Sequence, residues 1–151
     1  MIQMTQQAYG VVHPHGTDQN QVMAETAAEL AAWLTVRALP ALPPIVALRI
    51  DGTEVEAQLP PGIGGSVMAD LAAWAEHLGT DVNLERSYDR TFVRASIVVH
   101  LGGGQRLKLW NHLKGVNFAV LEIVTEHGFS KGPASFGADV LRRAAALRTE
   151  R

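Results

Sequence analysis

Apolar residues recur at helical spacing in some stretches of this chain and at every second position in others. Val22, Met23, Ala27, Leu30, Trp33, Leu34 and Ala38 follow the helical spacing. They predict a first helix, capped by Thr17 or Asp18 and running to about residue 39, with one face buried. Pro40-Ala41-Leu42-Pro43-Pro44 ends it, since proline lacks a backbone donor and restricts the residue before it. Residues 45–50 and 53–59 then flank Asp51-Gly52, a dipeptide suited to the positive φ of a two-residue hairpin turn. In that register Val46 and Leu48 oppose Ala57 and Val55 on one face, and Arg49 opposes Glu54 on the other.

After a Pro/Gly-rich loop over 59–65, Ser66 caps a second helix that stops at Gly79, with Val67, Leu71, Trp74, Ala75 and Leu78 as its buried stripe. Strands are expected over 82–86, 91–101 and 105–111, with turns at Tyr88-Asp89-Arg90 and at glycines 102–104. Val93, Ala95, Ile97, Val99 and Leu101 share one face, matched by Leu107 and Leu109 on the next strand. Residues 117–127 have the Phe, Val and Ile content of a strand. Asn117 as a cap and His127-Gly128-Phe129 as an ending, with Phe129 folding back on Val124, favour a helix instead. A last helix follows Ser135 and turns Phe136, Val140, Leu141 and Ala145 inward. The expected fold is α+β: an antiparallel five-stranded sheet packed by helices in the order α-β-β-α-β-β-β-α-α. Residues 1–16 form a flexible arm and 17–151 a single domain. A hairpin followed by a glycine-stopped helix occurs at 45–79 and at 97–128, which reads as a common unit used twice rather than a duplication.

Composition narrows the chemistry. The chain has 151 residues, 47% of them apolar, and no cysteine, which excludes a disulfide framework, a thiol nucleophile and a cysteine-ligated metal. Its start has no basic cluster and no apolar run of signal-peptide length. The longest apolar runs, 30–34 and 71–75, fall far short of the roughly 20 residues that span a bilayer. A cytoplasmic location and no membrane partner are the expectation.

The net charge of −2 argues at first against a polyanionic partner, but it is unevenly distributed. Residues 1–80 hold Arg37 and Arg49 against eight carboxylates, a balance of −6, whereas 81–151 hold eleven cations against seven carboxylates, a balance of +4. Strand periodicity gathers part of this positive charge. If Ile97 and Val99 face the core, then Phe92, Arg94, Ser96, Val98 and His100 face away from it, as do Arg106, Lys108 and Trp110 across the glycine turn, with His112 next in the series. Phe92, Arg94, His100, Arg106, Lys108 and Trp110 are the candidate binding surface. Cations interleaved with aromatics suit a protein partner, a second copy of the chain meeting basic half with acidic half, or a nucleic acid.

Other motifs carry less. Gly62-Ile63-Gly64-Gly65-Ser66 precedes a helix start, where amides can hold an anion, as does Ser130-Lys131-Gly132-Pro133. Neither matches a phosphate-loop or dinucleotide fingerprint. The arginines 142, 143 and 148 complement the end of the last helix, and the 128–135 connection is too long for a standard helix-turn-helix. Of the six histidines, His13 and His15 lie in the arm, His77 and His127 at helix ends, and His100 and His112 at opposite ends of a strand pair. No catalytic, metal or cofactor set emerges. The sequence therefore points to a small non-catalytic protein-binding or regulatory module. Nucleic-acid binding through the same face, or a small enzyme with a histidine site, are the alternatives.

Overall fold

A computed structural model of the chain describes residues 14–37, 41–61 and 66–149. The elements are α1 (Pro14–Arg37), β1 (Ala47–Asp51), β2 (Glu54–Gln58), α2 (Ser66–Leu78), β3 (Val82–Arg86), β4 (Phe92–His100), β5 (Arg106–Lys114), α3 (Val116–Val124), β6 (Ala134–Phe136) and α4 (Ala138–Thr149). The strands form one six-stranded sheet in the order β1-β2-β5-β4-β3-β6. Every neighbouring pair is antiparallel except β2 and β5, which run parallel.

This corrects the expected antiparallel five-stranded sheet in two respects. The sixth strand is only three residues long and pairs Ala134, Ser135 and Phe136 with β3. Phe136 therefore belongs to an edge strand, and α4 begins two residues later. A segment this short shows no alternation from which a strand can be read. The parallel pair is equally invisible to periodicity, which assigns faces but not neighbours: β5 lies between β2 and β4 rather than at the end of a meander.

The hairpin forms, with its register moved by two residues. Asp51 pairs with Glu54 and Arg49 with Glu56, so Gly52-Thr53 is the two-residue loop. The positive φ of 61° falls on Gly52, as a type II′ turn requires at its first central position. A shift of two keeps every side chain on its expected face. The partner of Arg49 changes from Glu54 to Glu56.

Val55, Ala57, Val82, Leu84, Val93, Ala95, Ile97, Leu107, Leu109 and Leu113 are buried on one face of the sheet. Helix α2 covers them with Val67, Met68, Leu71, Ala72, Trp74 and Ala75, and α4 packs on α2 and α3. Helix α2 ends as expected: Gly79 has φ 64°, its N–H donates to the Glu76 carbonyl and that of Thr80 to the Ala75 carbonyl. These are the two bonds of a Schellman cap.

Helix α1 departs from expectation. It starts at Pro14, inside the stretch expected to be an arm, and proline's fixed φ suits a first turn; residues 1–13 lie outside the described residues. Of its apolar stripe Leu30 is buried and Trp33 and Leu34 half-buried, whereas Met23 and Ala27 are exposed. The helix lies over the edge strand β1, where there is too little sheet to cover a full face. It is held by Thr26, whose hydroxyl donates to the Gly52 carbonyl at 2.7 Å, and by Trp33 stacked on Trp74 at 6.2 Å. The Trp74 indole N–H donates to the Pro43 carbonyl and His77 Nε2–H to that of Arg37, so α2 anchors both sides of the proline-rich stop.

Helix α3 confirms a helix rather than a strand at its position, with different ends. Its N-cap is Gly115, not Asn117. Its ending is a Schellman pattern formed by the Glu126 N–H on Ile123 and the His127 N–H on Glu122, centred on Glu126 at φ 53° rather than on Gly128. Phe129 still folds into the core, beside Phe118 and Phe136. Arg86 stacks on Phe118 and Phe129 and pairs with Glu122.

Where β2 ends, Asn111 takes its place. The buried side chain donates from Nδ2 to the Leu59 and Pro60 carbonyls and accepts the His112 N–H at Oδ1. It thereby satisfies backbone groups that the departing strand leaves behind. Asn111→Ala strands all three, and should cost about 3 kcal/mol in denaturant unfolding with an unchanged m-value; a cost below about 1 kcal/mol contradicts this role. Conversely, Glu126→Gly relieves a left-handed non-glycine residue and should stabilise the fold by about 1 kcal/mol in the same measurement.

Candidate functional site: the open sheet face

Alternation sends odd-numbered β5 residues to the helices and even-numbered ones to the opposite face. Arg106, Lys108, Trp110, His112 and Lys114 therefore line up, paired across with His100, Val98, Ser96, Arg94 and Phe92 of β4. On the other side Glu54, Glu56 and Gln58 of β2 pair with Arg106, Lys108 and Trp110. No described helix packs on this face. All six candidate residues, Phe92, Arg94, His100, Arg106, Lys108 and Trp110, lie on it.

At the centre is an aromatic ladder. The rings of Phe92 and His112 are 4.2 Å apart and those of His112 and Trp110 are 4.8 Å apart. The Arg94 guanidinium lies over the Trp110 ring at 4.8 Å, a favourable cation–π geometry. All four side chains are half-buried. Beside Phe92 and Arg94 a recess of about 380 Å³ opens, bordered by Ser87 and the fully exposed Tyr88.

Periodicity alone missed the carboxylates of β2. Glu54 accepts two hydrogen bonds from Arg106, both at 3.0 Å, and Glu56 lies 3.6 Å from Arg94 and 3.9 Å from Arg49. The Arg106 hydrogen bonds hold the Glu54 carboxyl below its ordinary value, and Glu54 in turn raises Arg106. The face is thus a checkerboard of both signs rather than a basic surface. The signal was present in the sequence as Glu54-Val55-Glu56, a strand presenting two carboxylates on one face, but only the parallel pairing places them beside Arg106 and Arg94.

The remaining motifs do not gather. His100 is level with Arg106 and His112 with Arg94, about 20 Å apart along the strands. His13 and residues 62–65 lie outside the described residues. Among the described residues no cluster of metal-ligating side chains occurs, and no helix is long and apolar enough to cross a membrane. No family model, curated protein or solved structure matches the chain.

His112 is depressed below its ordinary value of 6.5 by burial, then by Arg94 and Lys114. The unfolded ring takes up a proton near the ordinary value, whereas the folded ring does so only at lower pH. The stability contributed by neutral His112 is therefore complete above that value and is lost as pH falls through the depressed one. His112→Phe keeps a ring in the ladder and removes the titration. Its unfolding free energy should fall less steeply than wild type between about pH 7 and 5; superimposable slopes contradict the burial of a neutral ring.

Proposed function

We propose that the chain is a non-catalytic binding module and that the open sheet face recognises a protein partner. The observation that carries this reading is the Phe92–His112–Trp110 ladder with Arg94 stacked on it, lying on a sheet face that no described helix covers. Tryptophan, arginine and their aromatic neighbours are the residues that supply anchor contacts at protein interfaces. The exposed Val98 adds an apolar side chain to the same face.

The charge pattern chooses among partners. Arg94 and Arg106 are engaged by Glu56 and Glu54, so a polyanion must compete with carboxylates on the same face, which weighs against nucleic acid. The charge argument for self-association weakens for the same reason: Glu54–Arg106, Glu56–Arg94 and Glu76–Arg142 join the acidic and basic halves within one chain. A partner presenting an apolar anchor with both signs of charge around it fits best. The wide separation of His100 and His112 supports recognition over acid–base catalysis.

A photo-crosslinking amino acid at position 98 tests the reading in cells. A discrete adduct should form there, disappear with Trp110→Ala, and be absent when the probe sits at position 146 on α4. Adducts that form equally from both positions, or survive Trp110→Ala in a folded protein, contradict it. An adduct with twice the chain mass identifies a second copy as the partner, and one with RNA restores the nucleic-acid reading.

A further inference from the structure

Because β2 and β5 run parallel, their carboxyl ends lie together, and each is followed by a helix on the same side of the sheet. β2 stops at Gln58, level with Trp110, while β5 continues to Lys114. The gap beyond β2 is a cavity of about 500 Å³ lined by Gln58, Asn111, His112, Lys114, Asn117 and Arg148 among others, with no carboxylate among the described residues of its wall. Two elements contribute three cationic or ionisable side chains to its wall: His112 and Lys114 from the end of β5, and Arg148 from the last turn of α4.

The remaining wall favours negative charge as well. Gly115 and Val116, at the start of α3, border the cavity, as does Val67 in the first turn of α2. Gly115, the N-cap of α3, has φ 59° and gives no side-chain oxygen to the first-turn amides, which leaves the positive end of that helix without its usual internal acceptor. Buried Arg148 Nε has no hydrogen-bond partner among the described residues, although a buried guanidinium donor is ordinarily satisfied. On the neighbouring sheet face Arg49, Arg94 and Arg106 each face a glutamate, whereas no acidic residue is among the described residues that line the cavity.

We propose that this cavity binds the phosphate group of a small molecule, with Lys114 and Arg148 as its charged donors and the start of α3 as a third source of positive potential. Several donors converging from different elements suit a tetrahedral anion better than a planar carboxylate. The volume leaves room for a small organic group beyond the phosphate. This site goes beyond the protein-binding reading and shares only His112 with the ladder, so either can fail without the other.

His112 also supplies the readout: burial first, then Arg94 and Lys114, depress it, and an anion beside it opposes the contribution of those cations. The test is NMR of the His112 ring in the full chain, titrated with inorganic phosphate at constant ionic strength set by sodium chloride. Phosphate should move the His112 resonances saturably and raise its titration midpoint. Arg148→Gln and Lys114→Gln, each shown to unfold at the wild-type midpoint, should weaken this by at least about tenfold. Methyl phosphate should bind as tightly as phosphate or more tightly. No saturable shift, an equal shift with acetate, or undiminished binding in both variants overturns the proposal. A phosphoserine peptide that binds more tightly than methyl phosphate overturns the small-molecule assignment.

Discussion

The parallel pairing of β2 with β5 is the contact on which the rest of this structure depends. It joins the β1–β2 hairpin to the β3–β4–β5 ladder through five paired positions, Glu54 with Arg106 to Gln58 with Trp110. It completes the buried face by setting Val55 beside Leu107 and Ala57 beside Leu109. Because parallel strands end on the same side, it also leaves β5 projecting past β2. Asn111 closes the backbone gap this creates, and the cationic cavity opens next to it.

The same pairing explains the charge. A chain whose first half is acidic and second half basic suggests partners of opposite sign, yet β2 brings its carboxylates directly against the cations of β5 and β4. Exposed pairs of this kind add little to stability. Their effect is on recognition, because they turn a basic strip into one of mixed sign around an aromatic centre. Beyond Gln58, where β2 has ended, no carboxylate lies among the described residues of the cavity wall. The two surfaces thus differ in what they can bind for one topological reason.

Much of the fold was legible in the residues. Alternation from Phe92 to Leu101 and from Gln105 to Asn111 assigned the core and open faces correctly, because the period of two is imposed by the backbone itself. Gly79 marked the end of α2 for an equally local reason: it adopts a positive φ. Less legible was whatever depends on distant partners. Nothing within Glu54–Gln58 says that its neighbour is β5 and not β4, so the mixed topology and the Glu54–Arg106 pair stayed hidden. Glu126 takes the left-handed position that Gly128 was expected to occupy, since burial of Phe129 fixes where the chain turns. The helix α1 pattern misled in the opposite direction, as Met23 and Ala27 repeat correctly but meet only an edge strand. The candidate surface was found because its residues share one strand period; His112, which links the ladder to the cavity, stood at the end of that series.

The direction of the β2–β5 pair can be measured in a chain that contains no cysteine. Paired residues on adjacent strands lie within disulfide reach, whereas positions several residues out of register do not. Oxidation of Glu54→Cys/Arg106→Cys and of Gln58→Cys/Trp110→Cys double variants should give intramolecular disulfides in both. Glu54→Cys/Trp110→Cys and Gln58→Cys/Arg106→Cys, the pairs an antiparallel arrangement would join, should remain reduced. Bridging of the second set and not the first contradicts the parallel junction, and with it the mixed-charge face and the cavity at its end.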